Sequence, residues 1–256
     1  MPVWSGCAVD RGRRTRHGRR VPDVSGPDGR RAELAAALDA VEQRIAAACR
    51  RAGRSRDELT LVVVTKTWPA ADAAVLRDLG VVDVGENKDQ EAAGKAAQVP
   101  GLRWHFVGQV QSRKARSVAS YASVVHSLDR VRLADALAAG AERAGRVVDV
   151  LVQVSLDGDP DRGGALPADV PAVAEHAAGL PGLRVAGVMA VAPQGEEPRA
   201  AFDRLVEVAR ALRADHPDAR AVSAGMSGDL EAAVAAGAPH LRVGTAVLGH
   251  RKPVLR

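Results

Sequence analysis

Short β-branched apolar runs alternate with segments of helical period along most of this chain. The first periodic segment spans 32–52. Leu34, Leu38, Val41, Ile45 and Ala48 recur there at helical spacing, and Gly53 ends it. Strand candidates follow at 59–64, 81–85, 103–107, 123–126, 147–154, 184–189, 219–223 and 240–243. Helical segments fall near 70–79, 88–97, 112–121, 130–144, 168–178, 198–214 and 228–236, one in each gap between strands. Such alternation predicts a parallel sheet with helical crossovers. Eight units in roughly 200 residues predict an α/β fold, a single-domain (β/α)8 TIM barrel with an extra N-terminal helix. A doubly wound open sheet is the alternative, but no Gly-x-Gly-x-x-Gly follows the first strand.

Charge changes the picture at one end only. Of the net +5, residues 1–30 supply +4, from seven arginines against Asp10, Asp23 and Asp28. Residues 1–30 are therefore expected to be a basic, disordered tail, and residues 31–256 the barrel domain. The tail can equally be read as touching RNA or anionic lipid, or as lying upstream of the true start. The remainder is nearly neutral and offers no basic stripe for a nucleic acid. Cys7 and Cys49 have no metal-ligand spacing and form no disulfide framework, which favours a reducing, cytoplasmic setting. No apolar run is long enough for a membrane span, and no apolar region follows the tail arginines as in a secretory signal. A monomer is expected.

Candidate chemistry collects at the predicted carboxyl ends of the strands, where barrels place their sites. The most apolar run, LTLVVVTK at 59–66, ends on Lys66. Desolvation there would disfavour the ammonium form, and a neutral amine can condense with an aldehyde. Taken alone, Lys66 reads as a solvated lysine closing a strand. Ser227 stands before the helical segment Gly228–Ala236 and is expected to cap it, leaving free N–H groups for an anion. Gly244 and Thr245, after the last strand, add backbone donors and a hydroxyl. Arg242, two residues before Gly244, reads either as a cation facing a ring nitrogen or as the partner of a nearby carboxylate. Asn87 reads as a ligand to a ring oxygen or as a helix cap. Met189 and Met226 read as core or ring-packing residues, and His105 as a satisfied core histidine. Lysine, phosphate cradle and arginine together suggest pyridoxal 5'-phosphate (PLP).

These residues resemble the pyridoxal phosphate homeostasis protein family, related to the barrel domain of alanine racemase. The likeness rests on VVVTK (62–66), DVGEN (83–87), Gln90-Glu91, WHFVGQ (104–109), Gln111-Ser112, VHSLD (125–129), GVMA (187–190), GMS (225–227), Asp229, Glu231 and RVGT (242–245). It covers about residues 31–250, and its order and spacing are specific as a set. Arg113 and Gly228 depart from the family's usual residues, at the rim. The resemblance implies that Lys66 holds PLP as an internal aldimine. It also implies that Ser227, Gly244 and Thr245, with the backbone around Met226, hold the phosphate. Arg242 would face the pyridine nitrogen and Asn87 would lie near the ring. Family members are regarded as carriers or regulators of PLP supply in vitamin B6 homeostasis without significant turnover, which makes PLP-dependent apoenzymes candidate partners.

Two other functions are weighed. An amino-acid racemase of this barrel type needs a second base from an additional β domain. The chain ends soon after strand eight, so none is expected, and Tyr121, the single tyrosine, lies in a helical segment. A phosphosugar aldolase would use Lys66 as its Schiff-base lysine, but such a lysine usually comes from a mid-barrel strand.

Overall fold

The computed structural model describes residues 27–159 and 162–250. Eight parallel strands close into a barrel in sequence order, with the first paired to the last. They are β1 (Thr60–Val64), β2 (Asp83–Glu86), β3 (Arg103–Phe106), β4 (Val124–Leu128), β5 (Val148–Gln153), β6 (Leu183–Met189), β7 (Ala221–Ser223) and β8 (His240–Val243). Helix α1 (Pro27–Ala52) precedes β1. The crossovers hold α2 (Ala70–Asp78), α3 (Asp89–Gln98), α4 (Ala115–Tyr121), α5 (Val131–Arg143), α6 (Val170–Ala178), α7 (Pro198–Asp215) and α8 (Leu230–Ala236), and α9 (Thr245–Leu248) follows β8. The expected barrel with an extra N-terminal helix is the observed fold.

The differences are local. Helix α1 starts at Pro27, earlier than its apolar period shows, because its first turns carry polar residues; Asp28 there and Arg50 and Arg51 in the last turn suit the helix dipole. Residues 27–30, expected in the basic tail, begin helix α1, and the tail reading for residues 1–26 lies outside the described residues. The segment 112–121 divides into a 3-10 turn, Ser112–Lys114, and α4. Helix α9 was not expected, since four residues carry no readable period.

Alternation along the strands separates two cores. Outward side chains such as Val63, Phe106, Val125, Val150 and Leu241 join the helices in one large apolar cluster. Inside the barrel Val124, Leu151 and Met189 form an apolar layer. The polar side chains of Asp83, His105, His126, Ser223 and Arg242 are buried there as well. His105 lies on the opposite face from its outward neighbours Trp104 and Phe106, as alternation requires.

Helix α1 braces the carboxyl end of the barrel. Arg44 pairs with Glu231 at 3.0 Å and donates to the Ser227 carbonyl at 3.1 Å. Arg30 pairs with Asp72 at 2.8 Å, donates to the Leu248 carbonyl, and lies 4.6 Å over the Trp68 ring. Two loops of the mouth are thus tied to one rigid helix. Among the described residues, no helix is long and apolar enough to cross a membrane.

Candidate functional site

A cavity of about 410 Å³ opens at the carboxyl end of the barrel. Lys66, Asn87, Met226, Ser227, Arg242, Gly244 and Thr245, which come from four different strand ends, all line it. Val64, Val107, Met189 and Val191 supply its apolar wall. Among the described residues, its titratable lining groups are Lys66 and Arg242.

Lys66 reaches this space from an exposed turn, not from the buried end of β1. The expected desolvation of its amine is therefore not met, because β1 stops at Val64 and the chain turns outward. What fixes Lys66 is the backbone on each side. Thr65 is buried, and its hydroxyl donates to Glu86 at 2.6 Å. The Thr67 N–H donates to Glu91 at 2.6 Å, and Thr67 takes a φ of 69°, an uncommon value for a β-branched residue. Lys95 ties the two supports together, donating to Glu86, Glu91 and the Thr65 carbonyl. Burial raises the Glu86 carboxyl above its ordinary range, against the pull of Lys95 and Thr65.

At the opposite wall, Ser227 does not cap α8. That helix starts at Leu230 with Asp229 in the cap position, because Asp229 accepts from the Met226 N–H and closes the turn two residues later. The Ser227 hydroxyl instead accepts from the Ala246 N–H at 3.2 Å, joining the β7 and β8 loops. Its O–H, and the N–H groups of Ser227, Gly228 and Thr245, have no acceptor among the described residues. A concave set of free donors at two loop ends suits a phosphate. Gly225 makes the loop possible: its φ is +84°, and a Cβ there would lie 2.6 Å from Ala233 Cβ.

Asn87 is not a helix cap, since α3 begins at Asp89 after Lys88. Its Oδ1 is buried with no partner among the described residues and belongs to a cavity-lining residue. Such an orphan is costly unless a ligand satisfies it. A Cβ on Gly108 would lie 2.3 Å from the Asn87 carbonyl oxygen, so only glycine fits beside it. Met226 is exposed at the mouth, not core, whereas Met189 is buried in the barrel interior.

Arg242 is buried and makes no ion pair among the described residues. It donates to Ser223 Oγ at 2.6 Å and to the Ala190 carbonyl at 2.9 Å. Burial lowers its guanidinium to about 10, still cationic at neutral pH. The carboxylate-paired reading is thereby corrected. A buried unpaired cation facing a cavity is expensive, and it suits an anionic or polar ligand there.

The strand candidates 123–126 and 219–223 end on His126 and Ser223. Both side chains are fully buried in the barrel interior, and β4 runs on past His126 to Leu128. His126 Nδ1 lies 2.9 Å from Ser223 Oγ, His126 Nε2 lies 2.8 Å from His105 Nδ1, and His105 Nε2 lies 2.8 Å from Asp83 Oδ1. The available signal was polar residues at inward parity in otherwise apolar strands. Tyr121 donates weakly to Asp89 and is absent from the cavity lining. No metal-holding cluster exists among the described residues.

A family model described as the alanine racemase N-terminal domain matches residues 36–252. The pyridoxal phosphate homeostasis protein of Mycobacterium tuberculosis (strain ATCC 25618 / H37Rv) is 42% identical over 251 residues, covering 90% of this chain and 97% of that protein. The structure of PipY from Synechococcus elongatus PCC7942 with PLP bound is 32% identical, with a TM-score of 0.74 over 84% of this chain and 100% of that one. Alanine racemase from Streptomyces coelicolor A3(2) is 20% identical with a TM-score of 0.66, over 86% of this chain and 59% of that one, a likeness of fold.

Proposed function

The chain belongs to the pyridoxal phosphate homeostasis protein family, and on that premise we propose that it holds PLP through Lys66 as a carrier without useful turnover of amino acids. The observation that carries this reading is the lining of one cavity by a lysine, an unpaired arginine, an orphaned amide oxygen and a set of free N–H donors. The cavity volume, about 410 Å³, lies in the range of cofactor sites. When bound, PLP supplies an aldehyde for a lysine amine and a ring that can take up electrons.

The chain's own groups divide the work. Lys66 supplies the amine for the aldehyde carbon, with release of water. Ser227, Gly228 and Thr245 donate to the phosphate, backed by Gly244. Asn87 satisfies a ring substituent. The fixed charge of Arg242 disfavours a second positive charge on a nitrogen placed against it, which weakens the ring as an electron sink. Among the described residues, the lining contains no carboxylate, histidine, tyrosine or cysteine to move a substrate proton. These two features favour a carrier over a racemase, and PLP-dependent apoenzymes are the fitting recipients.

The test is exchange of the α-proton of alanine and other amino acids in heavy water, with PLP-loaded protein in excess. Exchange no faster than with free PLP is expected. Exchange at enzyme-like rates, abolished in Lys66→Ala, would restore the racemase reading.

A further inference from the structure

The polar line inside the barrel has only one hydrogen-bond direction that satisfies every member. A guanidinium only donates, so Ser223 Oγ must accept from Arg242. At the far end an ionised carboxylate only accepts, so His105 Nε2 must donate to Asp83 Oδ1. With His105 neutral, its Nδ1 accepts, and His126 Nε2 is the donor to it. With His126 neutral, its Nδ1 accepts from the remaining O–H of Ser223. Arg242 and Asp83 impose the same protons from opposite ends. The reverse direction sets a bare imidazole nitrogen against the Asp83 carboxylate. A protonated His126 would leave the Ser223 O–H without an acceptor and place two buried cations on either side of one hydroxyl.

We propose that Ser223 and His126 are positioning residues for Arg242, held in a single donor direction by His105 and Asp83, so that the guanidinium is presented to the cofactor ring in one fixed orientation. The inference rests on the PLP reading above and adds the residues that act behind Arg242. The cost of the line argues for a role, since an apolar layer like Val124, Leu151 and Met189 would fill the same space without polar burial. Among the described residues no carboxylate pairs with Arg242, and Ser223 and the Ala190 carbonyl hold it. Burial, with the nearby His105 and Arg242, keeps His126 well below the ordinary histidine range. The neutral state that the geometry requires is therefore the favoured one.

The first arm uses the cofactor-free protein. Long-range proton–nitrogen NMR of the imidazoles at pH 7, assigned with single histidine variants, should show the Nε2–H tautomer at both His105 and His126. An Nδ1–H tautomer at either one overturns the inference. The second arm compares Ser223→Thr with Ser223→Val, which share a shape and differ in the hydroxyl. With PLP loaded, Ser223→Val should shift the cofactor's absorption band and weaken PLP binding about ten-fold, the worth of one buried hydrogen bond, and Ser223→Thr should restore both. Normal loading with an unchanged band in Ser223→Val overturns this inference alone. Failure of the wild-type protein to take up PLP overturns the cofactor reading and the role of Arg242 with it.

Discussion

Lys95 Nζ donates to the carbonyl oxygen of Thr65 at 2.8 Å, and Thr65 is the residue that immediately precedes Lys66. The same ammonium contacts Glu86 and Glu91, each at 2.6 Å. The turn that carries Lys66 therefore hangs on a buried ion pair, and removing the cation strands a buried carboxylate. Loss of one partner of such a pair costs about 3–5 kcal/mol. Lys95→Met should lower stability by about that amount in urea unfolding. Lys95→Met with Glu86→Gln should recover more than half, because the stranded charge is gone. Simple additivity of the two substitutions would contradict the coupling.

Gly225→Ala should destabilise the protein by about 1–3 kcal/mol, through a φ of +84° and the overlap with Ala233 Cβ. The strain falls in the loop that carries Ser227, so PLP affinity should drop as well. Thermal unfolding and equilibrium dialysis measure the two effects. Wild-type behaviour in both would show that the loop tolerates a side chain.

Acid should weaken the fold well above the carboxylate range. Burial lowers His105 and His126, and lowers His240 to about 4. Unfolded histidines titrate near about 6.5, so below that pH the unfolded chain binds protons that the folded chain refuses. Each such group removes up to about 1.4 kcal/mol per pH unit. Glu86, raised by burial, works in the opposite sense, one group against three. Urea midpoints should fall from pH 7 to pH 5, and His126→Asn should flatten the slope. A level profile in the wild-type protein would contradict the burial of neutral histidines.

Pyridoxal lacking the phosphate should bind at least about a hundred-fold more weakly than PLP, since charge-assisted hydrogen bonds are worth roughly twice neutral ones. The free donors at Ser227, Gly228 and Thr245 motivate this difference. Arg44→Ala should narrow it, because Arg44 holds the Ser227 carbonyl from behind. Fluorescence titration gives both affinities, and equal values for the two ligands would remove the phosphate from this loop.

The barrel was legible because its signal repeats: each β-branched run and each helix-period segment reports the same βα unit. The strand ends were legible for the same reason, and Lys66, Asn87, Ser227, Arg242, Gly244 and Thr245 do meet around one cavity. What stayed hidden depends on distance across the fold. The pairing of Lys95 with Glu86 crosses from a helix to a strand, and the approach of His126 to Ser223 spans 97 residues of sequence. Ser227 was misread as a cap because the turn closed by Asp229 looks, in sequence, like the start of the helix itself. Of the two readings of Lys66, the solvated one fits its exposure; an apolar run does not reveal that the strand ends two residues before it.

The central claim is that Lys66 carries the cofactor, and reductive labelling tests it most directly. PLP-loaded protein is reduced with borohydride, digested and mapped by mass spectrometry. The added mass should fall on the peptide containing Lys66 and vanish in Lys66→Ala. A label on another lysine of the wild-type protein, or persistence of the label in Lys66→Ala, would contradict the assignment.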